Sequence, residues 1–366
     1  MKNTEDLFFQ LALYQVEGIG PVLARQLIQH FGSAKEVMNA RKHQLSRVPG
    51  IGPTLSKRFA QAGYYERAER EIKAMERLQI TALTPEDDRY PSLLKACFDA
   101  PQLLFIRGEG WEHQLRTVSV VGTRSPTAYS LNETRHLIEG LQSTGVCIVS
   151  GLARGIDTRA HQTAVDLNIP TFAVLAHGLD RVYPYENKTL SKQIEQNGCV
   201  ISERLTGTLP DRDNFPSRNR IVAGLSMATV VMETGVKGGS MITANMAFDY
   251  SRDVFALPGR ITEPSFQGCL HLISQQKAQV YTSVENLCTQ LNLNQKNQAH
   301  TQTRLFMECD PRFEPVLSCL VSGPKTIDQL IAQLNQPGSK LSGILLEMEI
   351  EGWIHYLPGS RVERCA

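Results

Sequence analysis

From residue 117 onward, short apolar runs rich in β-branched residues alternate with longer stretches of helical length and composition. The runs are 117–121, 147–150, 171–176, 200–203, 228–232, 254–257 and 279–281. Apolar strands separated by amphipathic helices predict an α/β fold, a parallel sheet covered on both faces. Residues 64–116 read as a helix followed by Pro-bearing loops, and the pattern assigns nothing finer there. The opening of the chain follows a different rhythm. Val16-Glu17-Gly18-Ile19-Gly20-Pro21 returns 32 residues later as Val48-Pro49-Gly50-Ile51-Gly52-Pro53. In each copy a helical pattern leads into Gly-Ile-Gly, and proline stands where a first helical position would be.

That repeat predicts a helical, SAM-like domain of paired helix-hairpin-helix units over 1–84. Its glycines let a turn approach a phosphate, and the following helix aims free N–H groups there. The same pair can equally be a packing domain. The sheet domain is assigned to 85–290. Residues 291–303 are read as a polar linker, since 292–302 hold six Asn or Gln and no large apolar residue after Leu293. Residues 304–366 are expected to form a winged helix. A helix capped by Thr326 precedes a second at 339–351 with apolar residues at 341, 344, 345 and 348, and a two-strand wing follows Trp353. The second helix of such a domain usually reads the major groove. Here a lone Lys340 stands with Glu347, Glu349 and Glu351, which phosphates would repel, so protein contact or packing is expected.

Composition narrows the classes. The net charge is +1, so any nucleic-acid surface must be local. The longest charge-free apolar stretch, 221–232, has twelve residues, too few to cross a bilayer. No basic-then-apolar signal pattern opens the chain. The eight cysteines never come closer than ten residues apart, which excludes Cys-x-x-Cys zinc or redox pairs. Buried free thiols in a soluble cytoplasmic protein are expected.

Several loops read as anion sites at strand ends. The first strand runs into Gly122-Thr123-Arg124, the second into Ser150-Gly151 and Arg154, and the fifth leads to Lys237, Gly239 and Ser240 before a helix. Glycine permits close backbone approach, arginine supplies a fork of donors, and a helix N-terminus favours an anion. Parallel sheets gather ligands at this carboxyl edge. Gly-x-Gly-x-x-Gly after a strand, the Walker-type phosphate loop and a nucleophile elbow are all absent. His161, His177 and His271 stand alone and are read as structural; Asp157 is read as a helix cap. The segment Asn214-Phe215-Pro216-Ser217-Arg218-Asn219-Arg220 is polar and loop-like. Its aromatic among guanidiniums suits single-stranded nucleic acid, the ring stacking on a base while arginines hold the backbone. Equally, Phe215 could anchor the loop in the core, with Arg218 and Arg220 paired to Asp211 and Asp213.

Together, Val121 to Arg124, Ser150 to Asp157, Gly178 to Pro184, Asn214 to Ile221 and Gly239 to Ala244 occur in an order that closely resembles the DNA-processing protein A family, also called Smf. The resemblance covers about 85–285. It implies an extended Rossmann-like domain that binds single-stranded DNA, forms a homodimer, protects incoming DNA and loads the RecA recombinase during natural transformation. By similarity Arg124, Phe215, Arg218, Arg220 and the Gly239-Ser240 loop line the DNA pocket. The chain departs from the family at Ala176-His177, at Gly238 where serine is common, at Leu270-His271 and at Lys277. The expectation is a non-enzymatic protein without cofactor or metal. The rival is a hydrolase of related fold that holds a phosphorylated nucleoside through the same loops and Glu233.

Overall fold

The computed structural model describes residues 2–293, 310, 312–320, 323–334, 336–351, 353–357 and 361–364. The chain divides into two compact units, one through residue 296 and one from 297.

The first unit is built on a nine-stranded sheet. Its strands are β1 (Thr81–Leu83), β2 (Leu104–Arg107), β3 (Thr117–Val121), β4 (Cys147–Ser150), β5 (Thr171–Leu175), β6 (Cys199–Ser202), β7 (Ala228–Val231), β8 (Asp253–Ala256) and β9 (Gln279–Val280). Their order is β1-β2-β6-β5-β4-β3-β7-β8-β9. From β6 through β9 the neighbours are parallel, whereas β1–β2 and β2–β6 are antiparallel. The seven strands expected from 117 onward are present. Strands β1 and β2 lie in the stretch the pattern left unassigned, and β1 precedes residue 84 yet belongs to the sheet.

Alternation along the strands divides the core. Val118, Val120, Ile148 and Val230 pack beneath one set of helices, and Val121, Cys147, Val149 and Phe172 beneath the opposite set. A third cluster joins Phe105, Ala173, Leu175 and Val200 of the sheet to Leu11, Leu27, Val37 and Ala68 of the N-terminal helices. Those helices therefore serve as a covering layer. Two polar ties add to the contact: the Tyr14 hydroxyl donates to the Glu203 carbonyl at 2.6 Å, and Glu71 accepts from the Thr206 N–H and hydroxyl at 2.9 and 2.7 Å.

Within the helical layer the two hairpins interlock. Gly18 has φ +89°, and a Cβ there would stand 3.1 Å from the Leu55 side chain. Gly50 has φ +84°, and its Cβ would stand 2.9 Å from Leu23. Leu23 and Leu55 are themselves equivalent across the 32-residue offset, so each copy fills the glycine of the other.

In the second unit, helices Glu314–Leu320, Ile327–Leu334 and Gly338–Ile350 pack with a sheet of β10 (Lys325–Thr326), β11 (Ile354–Leu357) and β12 (Arg361–Arg364), ordered β10-β12-β11. Leu330, Leu341, Leu345, Met348, Trp353 and Val362 form its core. Thr326 Oγ1 accepts from the Gln329 N–H, and Gln329 Oε1 accepts from the Thr326 N–H at 3.0 Å, a reciprocal cap. This is the expected winged helix. Most of the proposed polar linker falls outside the described residues. Among the described residues no helix is long and apolar enough to cross a membrane.

Candidate nucleic-acid interface

The chain extends the sheet from β3 through β4, β5 and β6, then returns to lay β7 on the other side of β3. Connections leaving β3 and β7 thus diverge, and a crevice opens at their carboxyl ends. It is a cleft of about 800 Å³. Gly122, Thr123 and Arg124 enter it from the end of β3, Gly151 from β4, and Lys237, Gly239 and Ser240 from the connection after β7. Phe215, Arg218 and Asn219 form the facing wall. Tyr183, Arg212 and Thr234 also line it and were not singled out from sequence. Tyr183 belongs to one of the ordered motifs, and Arg212 lies two residues before Asn214, so both had a signal.

The wall is not a loop, as the sequence suggested, but the start of helix Asn214–Leu225. Pro216 is its third residue, where an N–H would have no intrahelical partner, so proline is tolerated. The helical turn then sorts the motif. Two residues rotate by about 200°, which sends Arg220 away from Arg218. Arg220 is buried against Glu203, donates to the Asp99 carbonyl, and borders a separate cavity of about 360 Å³ beside the first hairpin. Three other expected residues also miss the cleft. Ser150 is buried and donates to the Val120 carbonyl at 2.6 Å, Arg154 is exposed and paired with Glu186, and the Asn214 amide donates to the Leu209 carbonyl. Neither Arg218 nor Arg220 pairs with Asp211 or Asp213.

Arg218 is the buried centre of the wall. Its guanidinium donates to the carbonyls of Gly151 and, at 2.6 Å, Val174. A Cβ on Gly151 would fall 2.1 Å from Arg218 Nη1, so glycine is required there. Burial draws the Arg218 guanidinium below its ordinary range, and the Asp157 charge opposes that. Asp157 itself is raised by burial. It does not cap its helix: it accepts from the Gly151 and Ala153 N–H groups at 3.1 and 3.3 Å and holds the loop after β4.

Phe215 is half-buried. The guanidinium carbons of Arg124 and Arg218 lie 5.2 and 5.8 Å from its ring centre, within cation–π range, and Tyr183 meets it edge-on at 6.3 Å. Arg124, Arg212 and Lys237 are exposed, and Asp157 is the only carboxylate among the lining residues, so the cleft is positive. The same cleft is lined by the start of helix Gly239–Asp249, with Gly238 as its N-cap residue. Its first N–H groups and a buried Ser240 hydroxyl that meets no partner point to an acceptor such as a phosphate oxygen. At Gly238 the serine common in the family would put a Cβ 2.3 Å from Thr234 Oγ1, so this chain's tight turn needs glycine.

The remaining titratable candidates serve the scaffold. Glu233 is fully buried; its Oε2 accepts from the Thr127 N–H and hydroxyl at 2.9 and 3.0 Å, while its Oε1 is buried with no hydrogen-bond partner. His161 bonds Thr171 at 2.7 Å, and burial pulls its pKa down to about 3. His177 contacts the Gly178 carbonyl at 2.9 Å and is also lowered by burial.

The sequence profile of DNA recombination-mediator protein A matches residues 81–292, more than half of the chain. The chain belongs to that family. A SAM-like helix-hairpin-helix tandem matches 10–64, and the winged-helix domain of the same family matches 307–360. Protein Smf of Synechocystis is 34% identical over the whole of both chains. DNA processing protein DprA of Streptococcus pneumoniae is 42% identical over 55% of this chain and 71% of its own length. Its crystal structure superposes with a TM-score of 0.67 at 31% identity, covering 79% of this chain and 98% of that one. DNA processing protein A of Helicobacter pylori, whose structure was described for its single-stranded DNA binding mode, gives a TM-score of 0.52 at 30% identity, covering 59% and 96%.

Proposed function

We propose that the chain binds single-stranded DNA in the cleft at the ends of β3 and β7, with little sequence preference and without catalysis. One observation carries this reading: Phe215 lies under two guanidiniums in a positive cleft lined also by a helix N-terminus with an unpartnered hydroxyl. An aromatic face beside phosphate donors serves any base, since every base has a π-face. Glu233, the group a hydrolase would need, is fully buried and lies outside the residues lining the cleft, with one carboxylate oxygen held by Thr127. Kinship with DNA processing protein A supports the wider role: protecting incoming strands and loading the RecA recombinase during natural transformation, as a homodimer in the cytoplasm.

Titration with a fluorescent oligo-thymidine, with nucleotide turnover followed in parallel, tests the core of this. Saturable, salt-sensitive binding without turnover is expected. Turnover that disappears with Glu233→Gln would favour the hydrolase. Nuclease protection of the bound strand, the rate of recombinase assembly on it, and the mass in solution test the wider role.

A further inference from the structure

Away from the cleft, the cavity of about 360 Å³ beside the first hairpin collects polar atoms that the fold leaves unused. It lies between the end of helix Lys2–Tyr14, the Gly18-Ile19-Gly20 turn, residues 99–102, Glu203 and Arg204 after β6, and Ser217 and Arg220 of helix Asn214–Leu225. Two donors among its lining residues are buried without a partner: Nε2 of Gln102, a residue only 6% exposed, and Nε of Arg204. Two carboxylates are half engaged. Glu203 gives Oε2 to Arg220, while its Oε1 has only the Arg204 guanidinium at 3.8 Å, beyond hydrogen-bond range. Asp99 accepts from the Tyr250 hydroxyl on Oδ1 at 2.6 Å, and its Oδ2 meets no donor among the described residues. Buried polar groups are ordinarily satisfied, so free donors beside open carboxylate oxygens mark a place prepared for a ligand.

Charge and size decide what fits. Asp99 and Glu203 carry negative charge, Arg204 and Arg220 positive, so the site is balanced. Glu17 also borders it, but stands largely exposed, 3.7 Å from Arg58. A net cation or anion would meet an uncompensated charge where water is scarce. A molecule carrying both charges gives every free atom a partner: its ammonium donates to the carboxylate oxygens, and its carboxylate accepts from Gln102 and Arg204. Buried Leu13, Val16, Ile19 and Ala24 add an apolar wall. The volume is near the lower end for ligand pockets, which suits a small molecule. Gly18 and Gly20 at the rim are exposed and leave a way in. We propose that this cavity binds a free amino acid with an apolar side chain. The site stands independently of the single-strand reading, since Phe215, Arg218 and Asn219 of the same helix line the cleft instead.

Isothermal titration calorimetry on the full chain tests the proposal with L-leucine, L-methionine and L-phenylalanine. The comparison ligands are isoamylamine and isovalerate, each keeping one charged end of leucine, and guanosine, which has polar edges and no charge. At least one amino acid should bind saturably, one molecule per chain. The one-ended analogues should bind at least about tenfold more weakly, the effect of losing a charge-assisted hydrogen bond. Gln102→Leu removes a donor and should weaken the amino acid about tenfold. Ala24→Leu fills the cavity without touching a polar group and should abolish binding. Should Ala24→Leu fail to fold, Gln102→Leu carries the test, its melting curve showing that the fold is intact. No saturable binding of the three amino acids up to about 10 mM overturns the proposal and leaves a solvent-filled cavity. Equal binding of isoamylamine or isovalerate overturns it, as does tighter binding of guanosine. Unchanged amino acid affinity in either folded variant overturns it too.

Discussion

Arg218 and Arg220 are two residues apart on one helix, both buried, yet they belong to different regions of the molecule. On the cleft side, Arg218 is held by the carbonyls of Gly151 and Val174, with Asp157 as its nearby carboxylate. Carbonyl dipoles fix a guanidinium without cancelling its charge, so Arg218 still presents a positive field to a ligand. On the opposite side, Arg220 meets the Glu203 carboxylate directly, beside the layer of N-terminal helices. There the charge is neutralised and the residue joins the scaffold. The partner decides the role: carbonyls keep an arginine available, and a carboxylate consumes it.

Removing each side in turn gives the test. Arg220→Ala should produce the largest effect, a loss of about 3–5 kcal/mol in unfolding free energy, because the buried Glu203 keeps only the Arg204 guanidinium, 3.8 Å away. Chemical denaturation measures this, and oligo-thymidine affinity of the folded variant should be unchanged. A variant that stays stable and loses affinity would reverse the assignment. Phe215→Ala should come next, costing about 1–3 kcal/mol of single-strand affinity, with Tyr or Trp restoring it and Leu failing to. A dominant stability loss with Leu rescue would return Phe215 to the core. Arg124→Ala and Lys237→Ala should each flatten the salt dependence of single-strand binding by about 0.7, one phosphate apiece, whereas Arg220→Ala leaves it unchanged. Near neutral pH the mildest effect concerns His161. Its folded pKa of about 3 lies below the unfolded value near 6.5, so the unfolded chain takes up a proton first as the medium acidifies. Its presence is neutral to stability above pH 6.5 and increasingly unfavourable from there down to about pH 3. His161→Asn should lessen acid sensitivity in that window, read as a shift in melting temperature.

Strand positions in the sheet and the glycine-bearing loops were legible because a parallel sheet demands apolar runs and its carboxyl edge demands small, polar turns. The residues that misled did so through backbone context. Pro216 made a helix start look like a loop, since nothing in the letters says that its missing N–H would have been unpaired. Grouping Arg218 with Arg220 followed from their closeness in sequence, which a helix undoes. Strands β1 and β2 pair antiparallel and stand outside the strand–helix alternation that marked the other seven, so no rhythm flagged them. The partners of Ser150, Asp157 and Glu233 lie 30, 6 and 106 residues away in sequence, a distinction between binding and bracing that only the fold reveals.

The exchange of leucines between the hairpins has a consequence for how this layer breathes. Each turn is closed by a side chain from the other copy, Leu55 over Gly18 and Leu23 over Gly50. Opening one turn therefore disturbs the packing over the other, and amide protons around both should exchange with solvent at similar free energies. Shortening Leu23 would loosen the turn at Gly50, the repeat's counterpart of Gly18, more than the turn beside Leu23 itself.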